Sequence, residues 1–356
     1  MVGNSVNPRG TERPVLDLRR RPLEDLRISV IDECNFRCNY CMPAELFGNS
    51  YAFLRKEELL TFDEIERLAR AFAGLGVRKI KLTGGEPLLR PWIPELIARL
   101  TAIPGIEDVG LITNGHRLAA MSRRLWDAGL RRITVSLDAL DPDRFLQITG
   151  RKGELRTVLR GIDTARNDGF SPIKINTVVQ RGVNEDQLLP ILERFRGGPF
   201  IVRYIEYMDV GNRNRWNMEA VVPAAEIVDR VTTRFPAEAM EPNYAGEVAD
   251  RYRFLDGSGE FGVIASVTRP FCGGCTRLRL SADGRLYTCL FSRTGTDIRR
   301  LLRDGVSDEA FRFAVSELWK GRDDRYAEER AERPGEAEAE ASAGSGGKIE
   351  MFYIGG

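Results

Sequence analysis

The sequence predicts an α/β fold: an incomplete (β/α)6 TIM-like barrel with a small C-terminal α+β extension. Over residues 25–235, six short runs rich in β-branched and apolar residues alternate with helical patterns. This alternation is typical of a parallel sheet with crossover helices. Six units rather than eight favour an open, incomplete barrel. After residue 235 the alternation ends and short strand-like runs follow one another.

The predicted elements of the barrel follow from these runs. Strands are expected at 26–32, 78–83, 107–113, 131–138, 172–179 and 199–206. Helices are expected at 61–76, 91–102, 117–128, 154–168, 185–196 and 223–235. Thr61 and Glu64 have the spacing of a capping box, and glycines end the same helix.

The remaining chain divides into four further regions. A second domain at 236–325 would contain paired strands (251–256 and 261–266), a hairpin (278–290) with an Asp283-Gly284 turn, and helices near 297–304 and 307–319. Residues 1–24 are expected to form a flexible leader, and the low-complexity segment 326–348 a disordered linker. Residues 349–356 form an apolar tail that ends in two glycines.

Charge and hydropathy argue against several classes of partner. The chain has 53 basic and 52 acidic side chains, a net charge of +1, so no global field attracts nucleic acid. No apolar stretch approaches the roughly 20 residues that span a bilayer. The N-terminal region lacks the apolar segment of a secretory signal. We therefore expect a cytoplasmic protein with no nucleic-acid or membrane partner.

The six cysteines fall into two groups of three: Cys34, Cys38 and Cys41, then Cys272, Cys275 and Cys289. Cytosolic thiols stay reduced, so closely spaced cysteines indicate metal ligands. A structural zinc site needs four ligands, and the single histidine, His116, cannot complete both groups, although carboxylates could. Three cysteines on a 4Fe–4S cluster leave one iron open. The spacing favours two such clusters, with zinc as the alternative.

Polar motifs lie at the predicted C-terminal ends of all six strands. In a parallel barrel, functional residues collect at this end. The first triad follows strand 1 and a GGEP motif (84–87) follows strand 2, and the other strands contribute Thr113, Ser136, Lys174, Arg203 and Met208. The convergence predicts one active site.

Cationic side chains on the predicted strands indicate an anionic substrate. Arg277 and Arg279 are two residues apart in a strand and therefore point to one face. Arginine suits phosphate because its guanidinium binds through a bidentate fork. Buried cations need an anionic partner, and strands 1, 2, 5 and 6 add Arg27, Lys81, Lys174 and Arg203.

Two sets of motifs resemble known families. The C-x3-C-x2-C spacing with Tyr40 before the third cysteine resembles the signature of the radical S-adenosylmethionine superfamily, and GGEP is its second hallmark. The second triad, C-x2-C-x13-C with an intervening Thr-Arg-Leu-Arg, and the terminal Gly355-Gly356 resemble the GTP 3′,8-cyclases of molybdenum cofactor biosynthesis. The resemblance covers roughly residues 20–320 and the last few residues. The stretch 327–348 has no counterpart.

The resemblance implies how the first triad works. S-adenosylmethionine would chelate the open iron, and one electron would cleave its sulfonium bond to give a 5′-deoxyadenosyl radical. Tyr40 would contact the adenine side, Gly85 would leave room for the methionyl amine, and Ser136 would bind a polar group. Met208 would pack on the adenine, although by itself a methionine more often fills a core gap.

The resemblance also implies a substrate and a reaction. The second cluster would hold GTP through its guanine. The deoxyadenosyl radical would abstract hydrogen from C3′, and the C3′ radical would attack C8. Reduction would then complete the product, 3′,8-cyclo-7,8-dihydroguanosine 5′-triphosphate. Substrate contacts are implied for Arg27, Lys81, Thr113, Lys174, Arg277, Leu278 and Arg279. Catalytic roles are implied for Arg203, Arg277, Arg279, Gly355 and Gly356.

Further partners and one departure complete the sequence-based interpretation. Cyclic pyranopterin monophosphate synthase would be the next enzyme, a flavodoxin or ferredoxin the reductant, and a homodimer the assembly. Ile112 stands where the family usually has threonine, so no substrate bond is assigned there. The terminal glycines would let the tail enter a narrow space between the clusters.

Two other functions stay open at this point. One is a peptide-modifying radical enzyme, although such relatives usually carry more auxiliary cysteines than the three that follow the barrel here. The other is a non-enzymatic zinc or iron–sulfur binding module.

Overall fold

The computed structural model of the chain describes residues 14–48, 50–211, 216–244, 246–333 and 347–355. Its strands are β1 (Asp25–Ser29), β2 (Lys79–Thr83), β3 (Asp108–Thr113), β4 (Arg132–Ser136), β5 (Ile173–Val179), β6 (Phe200–Glu206), β7 (Ala237–Met240), β8 (Asp250–Phe254), β9 (Glu260–Ile264), β10 (Arg277–Leu280), β11 (Arg285–Tyr287) and β12 (Thr296–Asp297). Strands β2 to β6 lie within the predicted runs, and β1 begins one residue before its run.

The described helices cover the outside of the sheet and the C-terminal part. They are α1 (Phe62–Gly74), α2 (Ile93–Thr101), α3 (Leu118–Asp127), α4 (Pro142–Ile148), α5 (Leu155–Asn167), α6 (Leu188–Phe195), α7 (Ala224–Arg234), α8 (Arg299–Arg303), α9 (Asp308–Lys320), α10 (Tyr326–Glu332) and α11 (Met351–Ile354). The capping box of Thr61 and Glu64 at the start of α1 is confirmed. Within the described ranges, no helix has the length and apolar character needed to cross a membrane.

One sheet of twelve strands organises the molecule, in the order β12-β11-β10-β1-β2-β3-β4-β5-β6-β9-β8-β7. Strands β1 to β6 are parallel, as predicted. Strand β10 adds parallel to β1, and β9 adds parallel to β6. The barrel therefore has parallel neighbours on both sides that the sequence interpretation placed in a separate domain. The α/β fold with an incomplete barrel is confirmed, but strands from 236–325 extend its sheet.

The segment before β1 differs from the expected flexible leader. Residues 14–24 are described, and Leu23 is completely buried. Leu16 and Pro22 form an antiparallel bridge, and the carboxylate of Asp17 is buried against two arginines. The expectation was wrong for this part because its charges pair with distant residues. Residues 1–13 lie outside the described residues.

The predicted disordered linker at 326–348 is also partly ordered. Residues 326–332 form α10, in which Arg330 is buried and pairs with Asp209. Lys348 is buried against the same carboxylate at 2.8 Å. The acidic composition suggested disorder, but one buried carboxylate anchors both ends of the segment. Residues 334–346 lie outside the described residues.

Candidate active site

A cavity of about 360 Å³ collects the predicted site residues. All six cysteines line it, together with side chains from all six predicted barrel strands. Of the predicted site residues that the structure describes, only Leu278 and Gly355 do not line this cavity. Residues from opposite ends of the chain thus meet at one place, as expected for the C-terminal end of a parallel sheet.

The first triad lies in the cysteine loop, residues 30–42, which follows β1. The backbone N–H groups of Cys41 and Met42 both donate to the Cys38 carbonyl, so Cys38 and Cys41 share a tight turn. The sulfur of Cys34 accepts from the Phe36 N–H at 3.4 Å and from the Asn114 amide at 3.8 Å. Burial, followed by the charge of Glu86, raises the pKa of Cys34 to about 12. Without a metal ion this thiol therefore stays protonated at neutral pH.

The second triad has a different electrostatic environment at its central cysteine. Burial raises the pKa of Cys275, but the charges of Arg277 and Arg322 outweigh it and bring the pKa to about 6. Arg322 donates to the Cys275 sulfur at 3.2 Å. Burial raises the pKa of Cys289 to about 11. One cysteine of this triad is thus a thiolate at neutral pH even before metal binds.

The spacing of the thiols bears on which metal group would fit. All six cysteines are free. Within the part of the chain that the structure describes, no three histidine, cysteine or acidic side chains are arranged to hold a single metal ion. A mononuclear zinc site requires ligands that converge on one point, whereas each cysteine of an iron–sulfur cluster binds a different iron. Hydrogen-bond donors to the sulfurs are a usual feature of such sites. The three thiols of the first triad fit an iron–sulfur cluster.

The glycines of the GGEP motif permit close contact with the cysteine loop. A Cβ added at Gly84, which has φ of +148°, would lie 2.3 Å from the Ile31 carbonyl oxygen. A Cβ at Gly85 would lie 2.2 Å from the Glu33 carbonyl oxygen. The Gly85 N–H donates to Ile31 at 2.7 Å. Any side chain here would displace the cysteine loop, and the predicted room for the methionyl amine at Gly85 stays a prediction.

Glu86 of the same motif is a site residue whose role sequence reasoning missed. Its buried carboxylate accepts from the Thr113 hydroxyl at 2.7 Å, the Asn114 N–H at 2.7 Å and the Leu88 N–H at 3.0 Å. Burial raises its pKa to about 7 despite these bonds. The carboxylate joins β2 to β3 beside the first triad. The GGEP motif was the available signal.

Thr113 lines the cavity, and its hydroxyl is engaged within the protein. It donates to Glu86 and accepts from the Gly115 N–H at 3.0 Å. The donor proton is therefore already used, and the predicted contact with substrate stays a prediction. Ile112, the neighbouring departure from the family pattern, lines the cavity with an apolar side chain.

Tyr40 is held by a carboxylate that the prediction did not include. Its hydroxyl donates to Asp138 at 2.8 Å, and the other oxygen of Asp138 accepts from the Val178 N–H at 2.8 Å. Burial raises the pKa of Asp138 to about 6. Ser136 and Met208 also line the cavity. The four residues predicted to contact S-adenosylmethionine therefore share one cavity with the first triad.

Arg132, Arg322 and six further cations line the cavity. We call these six the cation belt: Arg27, Lys81, Lys174, Arg203, Arg277 and Arg279. Arg279, Arg27 and Lys81 are in register across β10, β1 and β2, so their side chains lie side by side. Burial, followed by the charge of Arg277, lowers the pKa of Arg27 to about 10. Burial and Arg203 lower the pKa of Lys174 to about 8. These like charges destabilise one another, and a polyanion would relieve the repulsion.

Leu278 also requires a correction. It lies between Arg277 and Arg279 in β10, so its side chain points to the opposite face. There it is completely buried in the hydrophobic core. A substrate contact through this side chain is not supported.

The C-terminal tail reaches the cation belt. Arg279 donates to the Gly355 carbonyl. Met351 and Phe352 line the cavity, and the Phe352 ring packs edge-to-face on Phe47 with centroids 5.0 Å apart. Gly355 has φ of +75°, and a Cβ there would lie 2.1 Å from Cγ2 of Thr83. Gly356 lies outside the described residues.

Comparison with known proteins agrees with this site. The model for the Radical SAM superfamily matches residues 28–195, and the model for Molybdenum Cofactor Synthesis C matches residues 200–328. A solved structure, SuiB of Streptococcus suis bound to S-adenosylmethionine, is 16% identical with a TM-score of 0.55, covers 82% of this chain and 68% of its own, and shares the fold. The barrel, the first triad and these matches define a radical S-adenosylmethionine enzyme with an iron–sulfur cluster.

Full-length relatives narrow the assignment. The GTP 3′,8-cyclase of Acidothermus cellulolyticus is 51% identical over 97% of this chain and 99% of its own. Those of Xanthomonas axonopodis pv. citri and Staphylococcus carnosus are 51% and 48% identical, over 96% and 97% of this chain and 99% of each relative. The chain belongs to the GTP 3′,8-cyclase family.

Proposed function

We propose that this protein converts GTP to 3′,8-cyclo-7,8-dihydroguanosine 5′-triphosphate, the first step of molybdenum cofactor biosynthesis. One observation carries the proposal: two cysteine triads and the cation belt line the same cavity of about 360 Å³. This volume is within the roughly 300–1,000 Å³ usual for small-molecule sites. Membership of the GTP 3′,8-cyclase family supports the same activity.

The first triad would hold the cluster that works on S-adenosylmethionine. A 4Fe–4S cluster on Cys34, Cys38 and Cys41 would supply the electron that cleaves the sulfonium bond. The chain's own groups position the cofactor: Tyr40, fixed by Asp138, would lie along the adenine side, with Ser136, Gly85 and Met208 around it. The buried walls exclude water from the reactive centre.

We further propose that Cys272, Cys275 and Cys289 hold a second 4Fe–4S cluster, whose open iron binds the guanine. The thiolate character of Cys275 suits it as a metal ligand, since ligating thiols must be deprotonated. The two triads line one cavity, so a substrate bound to the second can reach a radical formed beside the first.

The cation belt would bind the triphosphate. Its side chains are buried beside one another, and burial together with neighbouring cations holds the pKa of Lys81 well below its usual value. Bound phosphates would restore the charged state of the amines and form charge-assisted hydrogen bonds with the arginines. This cluster of buried cations favours a nucleotide over the peptide of the alternative radical enzyme.

The decisive experiment is anaerobic incubation of the protein with GTP, S-adenosylmethionine and dithionite, followed by mass analysis. We expect the cyclised nucleotide and 5′-deoxyadenosine to accumulate together. ATP is the matched control, since it carries the same triphosphate on a different base and should compete with GTP without being cyclised. 5′-Deoxyadenosine without cyclised product from GTP would contradict the proposed reaction.

Iron analysis separates the proposal from the zinc alternative. Two 4Fe–4S clusters require about eight irons per chain. Zinc in place of iron in anaerobically purified protein would contradict the proposal. The next enzyme (cyclic pyranopterin monophosphate synthase), a flavodoxin or ferredoxin reductant, and a homodimer stay predictions.

A further inference from the structure

The N-terminal segment, expected to be flexible, instead contacts the second triad through one buried carboxylate. Asp17 accepts from Arg21 at 2.6 Å and from Arg322 at 3.2 Å. The three side chains are at most 2% exposed. Arg322 also pairs with the partly exposed Asp324 at 3.3 Å, so two arginines and two carboxylates meet beside the second triad.

Both arginines hold the backbone of the second triad. Arg21 donates to the Cys272 carbonyl at 2.9 Å. Arg322 donates to the Cys275 carbonyl at 2.8 Å and to the Thr288 carbonyl, next to Cys289, at 3.0 Å. The group thus supports the chain at all three cysteines.

Only Arg322 of these two also reaches a sulfur. Its Nη2 lies 3.2 Å from the Cys275 sulfur, and its guanidinium lies over the Trp319 ring at 4.5 Å from the centroid. The Arg322 guanidinium has little freedom, because it is held by the Cys275 and Thr288 carbonyls, the buried Asp17 carboxylate and the Trp319 ring. Its orientation toward the sulfur is therefore fixed by the fold.

The charges around the two triads differ. The acidic side chains Glu86, Asp138 and Glu350 act on Cys34, Cys38 and Cys41, one on each. Cys275 has instead the positive charges of Arg277 and Arg322. Hydrogen bonds to the sulfurs and nearby charge are principal determinants of a cluster's reduction potential. Glu328 and Asp324 act on Cys272 and Cys289, so the positive charge of the second triad is local to Cys275, where it favours the reduced cluster.

We propose that Arg322 is a positioning residue for the second cluster: its hydrogen bond to the Cys275 sulfur raises the cluster's reduction potential and strengthens binding of guanine at the open iron. Withdrawal of electron density from the sulfur makes the iron a stronger Lewis acid for a nitrogen or oxygen of the base. Asp17 moderates this effect by partly neutralising Arg322. The inference rests on the second cluster of the proposed function.

Arg21 offers a matched control. It is also buried, also pairs with Asp17 and also donates to the backbone of a triad cysteine, but no sulfur bond joins it to the triad. Arg322→Gln and Arg21→Gln thus remove one buried charge each from the same group. Only Arg322→Gln removes the bond to sulfur.

The test is a reductive titration of the intact two-cluster protein, followed by electron paramagnetic resonance. Added S-adenosylmethionine identifies the signal of the first cluster, and added GTP that of the second. We expect Arg322→Gln to shift the midpoint potential of the second cluster to a more negative value. The GTP concentration that gives half of the maximal spectral change should rise about 10–100-fold. Arg21→Gln should give clearly smaller changes, and equal changes in the two variants would overturn the proposal.

Asp17→Asn provides a second measurement should Arg322→Gln lose its second cluster. This variant leaves Arg322 in place, opposed only by the partly exposed Asp324, so the midpoint potential of the second cluster should shift to a more positive value. An unchanged or more negative midpoint would refute the role of Arg322. Wild-type protein with only one cluster would instead refute the proposed function itself, which iron analysis detects separately.

Discussion

Replacement of Gly355 by alanine tests whether the docked tail is needed for turnover. The residue has φ of +75°, on the side of the backbone map that only glycine adopts readily. An added Cβ would lie 2.1 Å from Cγ2 of Thr83, well inside van der Waals contact. The backbone conformation costs roughly 1–3 kcal/mol and the overpacking roughly another 1–3 kcal/mol.

These costs fall on docking of the tail rather than on the whole fold. A total of about 2–6 kcal/mol lowers the docked fraction by about 30-fold or more, because every 1.4 kcal/mol is a factor of ten. Undocking also removes the Gly355 carbonyl from Arg279. We expect cyclised product per minute to fall sharply in the anaerobic assay, while iron content and GTP binding stay near wild type. Deletion of Gly355 and Gly356 should have the same effect, and the tail added as a free peptide should restore part of it.

Two companion variants separate strain from collision. Gly305 has the same φ of +75° with no heavy atom within 4 Å of an added Cβ, so Gly305→Ala should leave turnover unchanged. Thr83→Ser removes the colliding Cγ2 and should restore part of the activity of Gly355→Ala. Full activity of Gly355→Ala alone, with the tail protected from hydrogen exchange, would refute the steric reasoning.

Three further outcomes are expected. Cys38→Ala should abolish production of 5′-deoxyadenosine because radical formation cannot begin. Cys275→Ala should lose the cyclised nucleotide but keep some uncoupled cleavage of S-adenosylmethionine. Normal amounts of cyclised nucleotide from Cys275→Ala would contradict the second-cluster assignment. Burial and neighbouring cations lower the pKa of Lys174 to about 8, so its amine becomes neutral above pH 8. GTP affinity, measured by anaerobic titration, should therefore fall above pH 8 by up to about tenfold per pH unit. Lys174→Gln should remove this pH dependence, and an unchanged profile in that variant would exclude Lys174 from triphosphate binding. Asp209→Asn leaves Lys348 buried beside a neutral partner, which should weaken docking of the tail by about 3–5 kcal/mol. The backbone amides of the tail should then exchange with solvent while both clusters are retained. A tail that stays fully protected in this variant would contradict the anchoring role of Asp209.

The local sequence pattern was sufficient to predict those elements that depend mainly on neighbouring residues. Runs of β-branched residues located β1 to β6, and the capping box located the start of α1. Alternation along β10 placed Arg277 and Arg279 on one face and Leu278 on the other. The substrate role of Leu278 came from the resemblance and conflicts with that alternation for the side chain.

Features that depend on distant partners could not be predicted in the same way. Asp17 lies in a polar segment that resembles a mobile leader, and its burial depends on Arg322, 305 residues away. The commitment of the Thr113 hydroxyl depends on Glu86, which the pattern showed only as part of a turn motif. Pairing of β9 with β6 and of β10 with β1 has no local signature, because hydrogen bonds between strands do not depend on side-chain identity.

The position of β10 beside β1 has a consequence for biosynthesis of the protein. The Thr276 hydroxyl donates to the Asp25 carboxylate across 251 residues, so β1 has no partner on this side until most of the chain has left the ribosome. Pairings of such high contact order form slowly, and an unpaired strand edge is a template for aggregation. The cysteines of the second triad lie on both sides of the same late strand, so the nascent chain exposes an open sheet edge and an incomplete cofactor site together. Chaperone dependence and iron supply should therefore limit the yield of this protein at the same stage.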